Sequence, residues 1–102
     1  MSHVKVRVKF IGEMRKKFSI EDLWISFQSV PTIKDVLAEL ERERGVKVNL
    51  GDSSVAILVN GRRIEFIGGL NAKLKHMDEI VIMPAIAGGS KIIRKMRKVY
   101  LL

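Results

Sequence analysis

From Val4 to Phe10, apolar and charged residues alternate: Val4, Val6, Val8 and Phe10 against Lys5, Arg7 and Lys9. A period of two predicts a strand with one face in a core. Gly12 breaks the pattern, and EMRKKF at 13–18 reads as a short helical turn or loop. A second strand follows, with Leu23, Ile25 and Phe27 on one side and Trp24, Ser26 and Gln28 on the other. The two strands are close enough in sequence to pair as a hairpin. At Ile33, Val36, Leu37 and Leu40 the spacing becomes helical, with Glu39, Glu41, Arg42, Glu43 and Arg44 largely off the stripe. Thr32 is a suitable N-cap, Asp35 puts an acid in the first turn, and Gly45 is the expected residue just past the end.

VAILV at 55–59 is a nearly continuous apolar run, as expected of a central strand. Asn60-Gly61 predicts a two-residue turn, whose central residues both need positive φ. RRIEFI at 62–67 is then the returning strand, Gly68-Gly69 a turn, and Glu79 to Met83 the last strand, ended by Pro84. One helix on one face of a mixed sheet is the β-grasp (ubiquitin-like) plan, an α+β fold with four to five strands. In that plan the first and last strands lie side by side and parallel. The predicted core includes Val6, Val8, Leu37, Leu40, Ile57 and Val59. Residues 1–87 form the domain, and 88–102 hold a Gly-Gly pair and a basic tail.

Composition narrows the function more than the fold. The 102 residues suffice for one hydrophobic core. No apolar run approaches the roughly 20 residues of a membrane span. The N-terminus goes straight into the strand pattern, so no secretory signal is read there and a cytoplasmic location is expected. There is no cysteine, which excludes disulfides, a nucleophilic thiol and cysteine-held zinc or iron–sulfur sites. His3 and His76 read as surface residues. Five of the eight net positive charges fall in the last thirteen residues, on Lys91, Arg94, Lys95, Arg97 and Lys98. Nucleic-acid or membrane contact is therefore expected only through the tail.

No enzyme-like constellation emerges. Gly61, Gly68 and Gly69 sit in turns rather than in a strand-to-helix phosphate loop, and the carboxylates are scattered. The informative segment is DEIVIMPAIAGG at 78–89. With VNG at 59–61 and LKHMDE at 74–79, it resembles the small subunit of molybdopterin synthase and its relatives, the ubiquitin-like sulfur carriers, with the thiamine-pathway carriers as cousins. The resemblance covers residues 4–89, and Pro84 favours the molybdopterin type. It implies a chain with no catalytic side chains and no bound cofactor. Its terminal glycine carboxylate, on Gly89 after Gly88, is activated with ATP by an E1-like adenylating enzyme. The adenylate becomes a thiocarboxylate, whose sulfur goes to the molybdopterin-synthase large subunit or another acceptor; alternatively the acyl group passes to a lysine. Two glycines without Cβ suit a strand that must thread a narrow channel. A sheet with one face under the helix leaves the other partly open to a partner. The resemblance puts Met83 there, beside the exit of the Gly-Gly strand, with Pro84 among the partner-binding residues and Arg7 and Lys9 as a basic rim; Phe66 fits either that face or the core.

Two features depart from those relatives. Met77 stands where they usually have glycine. The chain also continues past Gly89 as SKIIRKMRKVYLL, so that carrier chemistry requires cleavage after Gly89 by a processing protease. On a helix, Ile92, Ile93, Met96, Val99 and Tyr100 share one arc, with Arg94, Lys95 and the other basic residues largely outside it. The tail then either docks on the open sheet face or a neighbouring chain, masking Gly88-Gly89, or is a disordered basic extension. The alternative function is a non-enzymatic binding module whose basic tail contacts RNA, a membrane or a protein partner.

Overall fold

The computed structural model describes residues 3–49 and 54–85. The predicted Gly88-Gly89 pair and the tail residues Ile92, Ile93, Arg94, Lys95 and Met96 lie outside them. The elements are β1 (Val4–Phe10), α1 (Glu13–Phe18), β2 (Asp22–Phe27), α2 (Ile33–Arg44), β3 (Val55–Val59), β4 (Arg62–Arg63) and β5 (Glu79–Pro84). Two short 3-10 turns, Ile64–Phe66 and Gly69–Asn71, stand between β4 and β5. The sheet order is β2-β1-β5-β3-β4. β1 pairs antiparallel with β2 and parallel with β5, and β5 pairs antiparallel with β3. The five-stranded mixed sheet with one main helix is the expected β-grasp architecture.

The alternation in β1 and β5 decides which face is covered. Val6, Val8 and Phe10 point into the core with Ile80 and Ile82, joined by Ile57 and Val59 from β3. The helix α2 lays Ile33, Val36 and Leu40 against them. Its start is fixed by a capping box: Asp35 N–H donates to Thr32 Oγ1 (3.3 Å), and Thr32 N–H donates to Asp35 Oδ2 (2.8 Å). Gly45 ends it in the left-handed region, donating its N–H to Glu41 O (2.8 Å). The EMRKKF segment is a true helical turn, α1. It buries Met14 and Phe18, and the Phe18 ring stacks on Phe10 at 4.5 Å.

Two expectations are corrected. The returning strand over 62–67 is only two residues long, Arg62–Arg63. Ile64 leaves the ladder and drops into the core, and the chain tightens into a 3-10 turn closed by Ile67 N–H to Ile64 O (3.0 Å). A buried Ile64 cannot stay in register beside β3, so the ladder stops at Leu58↔Arg63 and Val59↔Arg62. Leu37 is half-buried rather than core. It sits about 100° around the helix from Val36, which faces the sheet squarely, so Leu37 lies at the flank.

Candidate functional site: the open sheet face and the exit of the last strand

The last strand runs up the middle of the sheet, hydrogen-bonded on both sides. Before the strand begins, Arg7 N–H donates to Asp78 O (3.0 Å) and Met77 N–H to Lys5 O (2.7 Å). His76 Nδ1 accepts the Lys5 N–H (3.0 Å). The turn that launches β5 is thus already tied to β1. Met77 holds φ +76 there, a left-handed conformation that glycine adopts without strain.

At the other end the two sides of β5 are released unequally. Toward β1, Ile11 N–H donates to Ile82 O (3.1 Å), and Pro84 then has no N–H with which to continue the parallel ladder. Toward β3, Ala85 N–H still donates to Ser54 O (2.8 Å). Gly12 turns β1 away beside the Pro84 ring, at φ +63 and ψ −131. The strand therefore loses its β1 partner before its β3 partner, and the described chain ends at Ala85, three residues short of Gly88.

The sheet face away from α2 carries most of the sequence-predicted partner residues. Register places Met83 beside Ala56, Val81 between Lys9 and Leu58, and Arg7 between Trp24 and Glu79. Met83 and Val81 are half-buried, so this face keeps apolar surface that the helix does not cover. Pro84, expected on this face, points with Ile80 and Ile82 to the opposite side, beside Gly12. Arg7 and Lys9 are there too, but not as free charges. Arg7 Nη2 pairs with Asp22 Oδ2 (2.6 Å) and Lys9 Nζ with Glu79 Oε2 (3.7 Å). The hydrogen bond to Asp22 pushes the Arg7 pKa above its ordinary value. The expected basic rim is mostly an internally neutralised one.

Trp24 is absent from the sequence-predicted partner residues, yet it is 43% exposed on this face, with Lys5 Nζ at 5.6 Å and Arg7 Cζ at 5.9 Å from its ring. Its place opposite Leu23 in the β2 alternation is the signal that could have found it. Phe66 is not core: it is 78% exposed, on the turn that leaves the sheet after β4. It shares no element with Met83, and its 3-10 turn packs against β3 and the following 3-10 turn.

Among the described residues no group of three His, Asp or Glu side chains could hold a metal ion. No helix among them is long and apolar enough to cross a membrane. What the described part of the site offers is the end of β5, up to Ala85, beside the half-buried Val81 and Met83.

The comparisons agree with that geometry. No curated protein matches the sequence significantly. Among solved structures, the HVO 2177 protein of Haloferax volcanii superposes with a TM-score of 0.70 at 25% identity, over 85% of this chain and 88% of its own. Small archaeal modifier protein 1 of Methanosarcina acetivorans gives 0.67 at 27% identity, over 87% and 100%. A Pyrococcus furiosus protein assigned as molybdopterin converting factor subunit 1 gives 0.67 at 24% identity, over 80% and 98%, a likeness of fold. The family model of the ThiS family matches residues 8–89, from the first strand to the second glycine of the pair. The chain belongs to the ThiS family of ubiquitin-like carriers and modifiers.

Proposed function

We propose that this chain is the precursor of a ubiquitin-like sulfur carrier whose reactive group is the main-chain carboxylate of Gly89, exposed when residues 90–102 are removed. The observation that supports it is the exit of β5. The strand is clamped on both sides, released on one by Pro84, and followed within five residues by Gly88-Gly89, where the family match also ends. Main-chain chemistry of this kind needs no catalytic side chain in the carrier itself. A freed Gly89 carboxylate oxygen attacks the α-phosphorus of ATP in an adenylating enzyme and pyrophosphate leaves. Hydrosulfide then attacks the adenylate carbonyl and AMP leaves, giving the thiocarboxylate; a persulfide donor gives an acyl disulfide instead, which a thiol reduces to the same product. Because ATP and the partner enzymes belong to the cytoplasm, the carrier acts there.

Pro84 supports delivery to a molybdopterin-synthase large subunit. The likeness to small archaeal modifier protein 1 favours a second reading, in which the activated acyl group passes to a lysine amine. In either reading Met83 and Val81 form the face that the adenylating enzyme grips.

The test is ATP–pyrophosphate exchange by the host adenylating enzyme, with full-length protein and with protein ending at Gly89. Exchange only with the shorter form is the expected result. Intact mass after the reaction then separates the readings: one oxygen replaced by sulfur marks the carrier, an isopeptide adduct the modifier. No exchange with either form, and only full-length protein in the native cells, would return the chain to a binding module.

A further inference from the structure

The two edges of the sheet are not alike. At one end of the strand order stands β4, only Arg62 and Arg63, both exposed. Short length and cationic side chains are among the means by which natural sheets keep an edge from pairing. At the other end stands β2, with the sequence DLWISF. It has no proline, glycine or lysine, and its one charge, Asp22, is bound to Arg7 of the neighbouring strand (2.6 Å). The phase of the ladder shows which of its groups stay open. Phe10 N–H donates to Glu21 O (2.9 Å) and Arg7 N–H to Asp78 O (3.0 Å), so Val4, Val6, Val8 and Phe10 bond toward β2, and Arg7 and Lys9 toward β5. Leu23, Ile25 and Phe27 therefore turn their main-chain groups inward to β1. Asp22, Trp24 and Ser26 turn theirs outward, and no other described residue hydrogen-bonds to them there.

The side chains at this edge are also short of a neighbour. Leu23 faces the core yet stays half-buried, whereas Val8, its partner on β1, is fully buried. On the other face Trp24 is exposed. A row of alternating N–H and C=O groups has another strand as its complement, and the side chains say which strand fits. Take a second copy, antiparallel, with the two-fold axis at Trp24. Asp22 then stands opposite Ser26 of the second copy and Trp24 opposite Trp24, each pair exchanging both of its main-chain bonds. The tryptophans meet on the open face, Leu23 meets Ile25 of the second copy on the core side, and no like charges stand opposite. Moving the axis to Leu23 or Ile25 sets an outward group opposite a residue outside β2. Moving it to Asp22 sets two carboxylates face to face. The chain's own residues 90–102 do not alternate apolar with basic, so their pattern is not that of a strand with one apolar face.

We propose that two copies of this chain join edge to edge through β2, antiparallel and centred on Trp24, so that their sheets become one. The pairing uses the same strand on both copies, and it closes at a pair because the β4 edge is guarded. The inference rests on the main chain of β2 and not on the chemistry of Gly89.

Sedimentation velocity of the full-length protein, from micromolar to millimolar concentration, should show a monomer–dimer equilibrium. Hydrogen exchange followed by NMR should find the amides of Leu23, Ile25 and Phe27 protected throughout. Those of Asp22, Trp24 and Ser26 should be protected only where the dimer forms. Trp24 is the chain's one tryptophan, so its emission should move to shorter wavelength over the same range. Ser26→Pro removes an N–H that the monomer's ladder does not use. It should keep a native circular-dichroism spectrum and raise the dissociation constant about tenfold or more. Trp24→Lys, at an exposed position, sets like charges opposite each other across the axis and should also weaken the dimer. A monomer at millimolar concentration, with fast exchange at the outward amides, would overturn the proposal and leave the edge to a strand of another protein. So would a dimer that both variants leave intact. Protection of the outward amides that ignores concentration and is lost on deleting residues 90–102 would overturn it too, in favour of the chain's own tail.

Discussion

Asn60 and Asp78 hold each other across the two turns at one end of the sheet. Asn60 Nδ2 donates to Asp78 Oδ1 (2.9 Å), and Asn60 Oδ1 accepts the N–H of Glu79 (2.9 Å). Asp78 Oδ2 also accepts the N–H of Lys75 (2.7 Å). The VNG turn and the LKHMDE turn are therefore one hydrogen-bonded structure, which fixes where β5 begins. Asn60→Asp keeps the acceptor, loses the donor and sets two carboxylates face to face. At neutral pH it should cost about 1–3 kcal/mol. Like charge raises proton affinity in the native pair above that in the unfolded chain, so the deficit should shrink as pH falls through the carboxylate range. Urea unfolding of both proteins at several pH values measures it; a deficit constant with pH would refute the pairing.

Gly12 turns the chain away from β1 beside the Pro84 ring at the end of β5. A Cβ on Gly12 would meet Pro84 Cγ at 3.4 Å, ordinary contact, so the obstacle is the backbone. Its φ of +63 with ψ of −131 lies in the mirror-image β region, open almost only to glycine. Gly12→Ala should therefore destabilise by about 1–3 kcal/mol. Gly45, in the ordinary left-handed region with nothing within 4 Å of an added methyl, serves as comparison. Gly45→Ala should cost less, about 1 kcal/mol. Equal losses in denaturant unfolding would show that the Gly12 turn is not special.

Leu37 and Leu40 are one helical turn apart and should behave differently. Leu40 is fully buried under the sheet, and Leu40→Ala should cost about 2–5 kcal/mol. Leu37→Ala removes a half-buried side chain from the flank of α2 and should cost roughly 1 kcal/mol, within the usual range for partly exposed positions. Thermal and chemical unfolding of the two variants, side by side, checks the ranking.

Met83 separates folding from recognition. It points away from the core that Ile80 and Ile82 fill, so Met83→Asp should keep a native circular-dichroism spectrum and lose at most about 1 kcal/mol. Binding of the Gly89-terminated protein to the adenylating enzyme should fall by about tenfold or more, because a charge is then desolvated at the contact. Unchanged binding, read by titration calorimetry, would remove Met83 from the partner face.

Much of this architecture is legible in the sequence because β1, α2 and β5 keep clean periods. Each strand shows its core face by alternation, and Thr32, Asp35 and Gly45 mark the helix ends with residues whose hydrogen bonds are local. The misreadings fall where tertiary contacts overrule local pattern. RRIEFI has strand-like residues throughout, but Ile64 is needed in the core and pulls the chain out of the ladder. Leu37 fits the helical stripe, yet it lies about 100° around the helix from Val36 and ends at the flank of the core. The neutralisation of Arg7 and Lys9 is also hidden, since Asp22 and Glu79 lie on other strands and meet them only through register. At Met77 only the structure shows the left-handed backbone, since nothing in the side chain announces it.

The parallel pairing of β1 and β5 also determines how the molecule bears tension. β1 starts near the N-terminal end of the described chain, and its neighbour β5 finishes at Pro84, at the opposite end of the sheet. Opposed pulls on those two points slide one strand along the other, so the rungs from Arg7–Asp78 to Ile11–Ile82 are loaded together rather than unzipped one by one. The strand that hands the chain over to whatever draws on it beyond Ala85 is thus the one seated in shear, where force is shared.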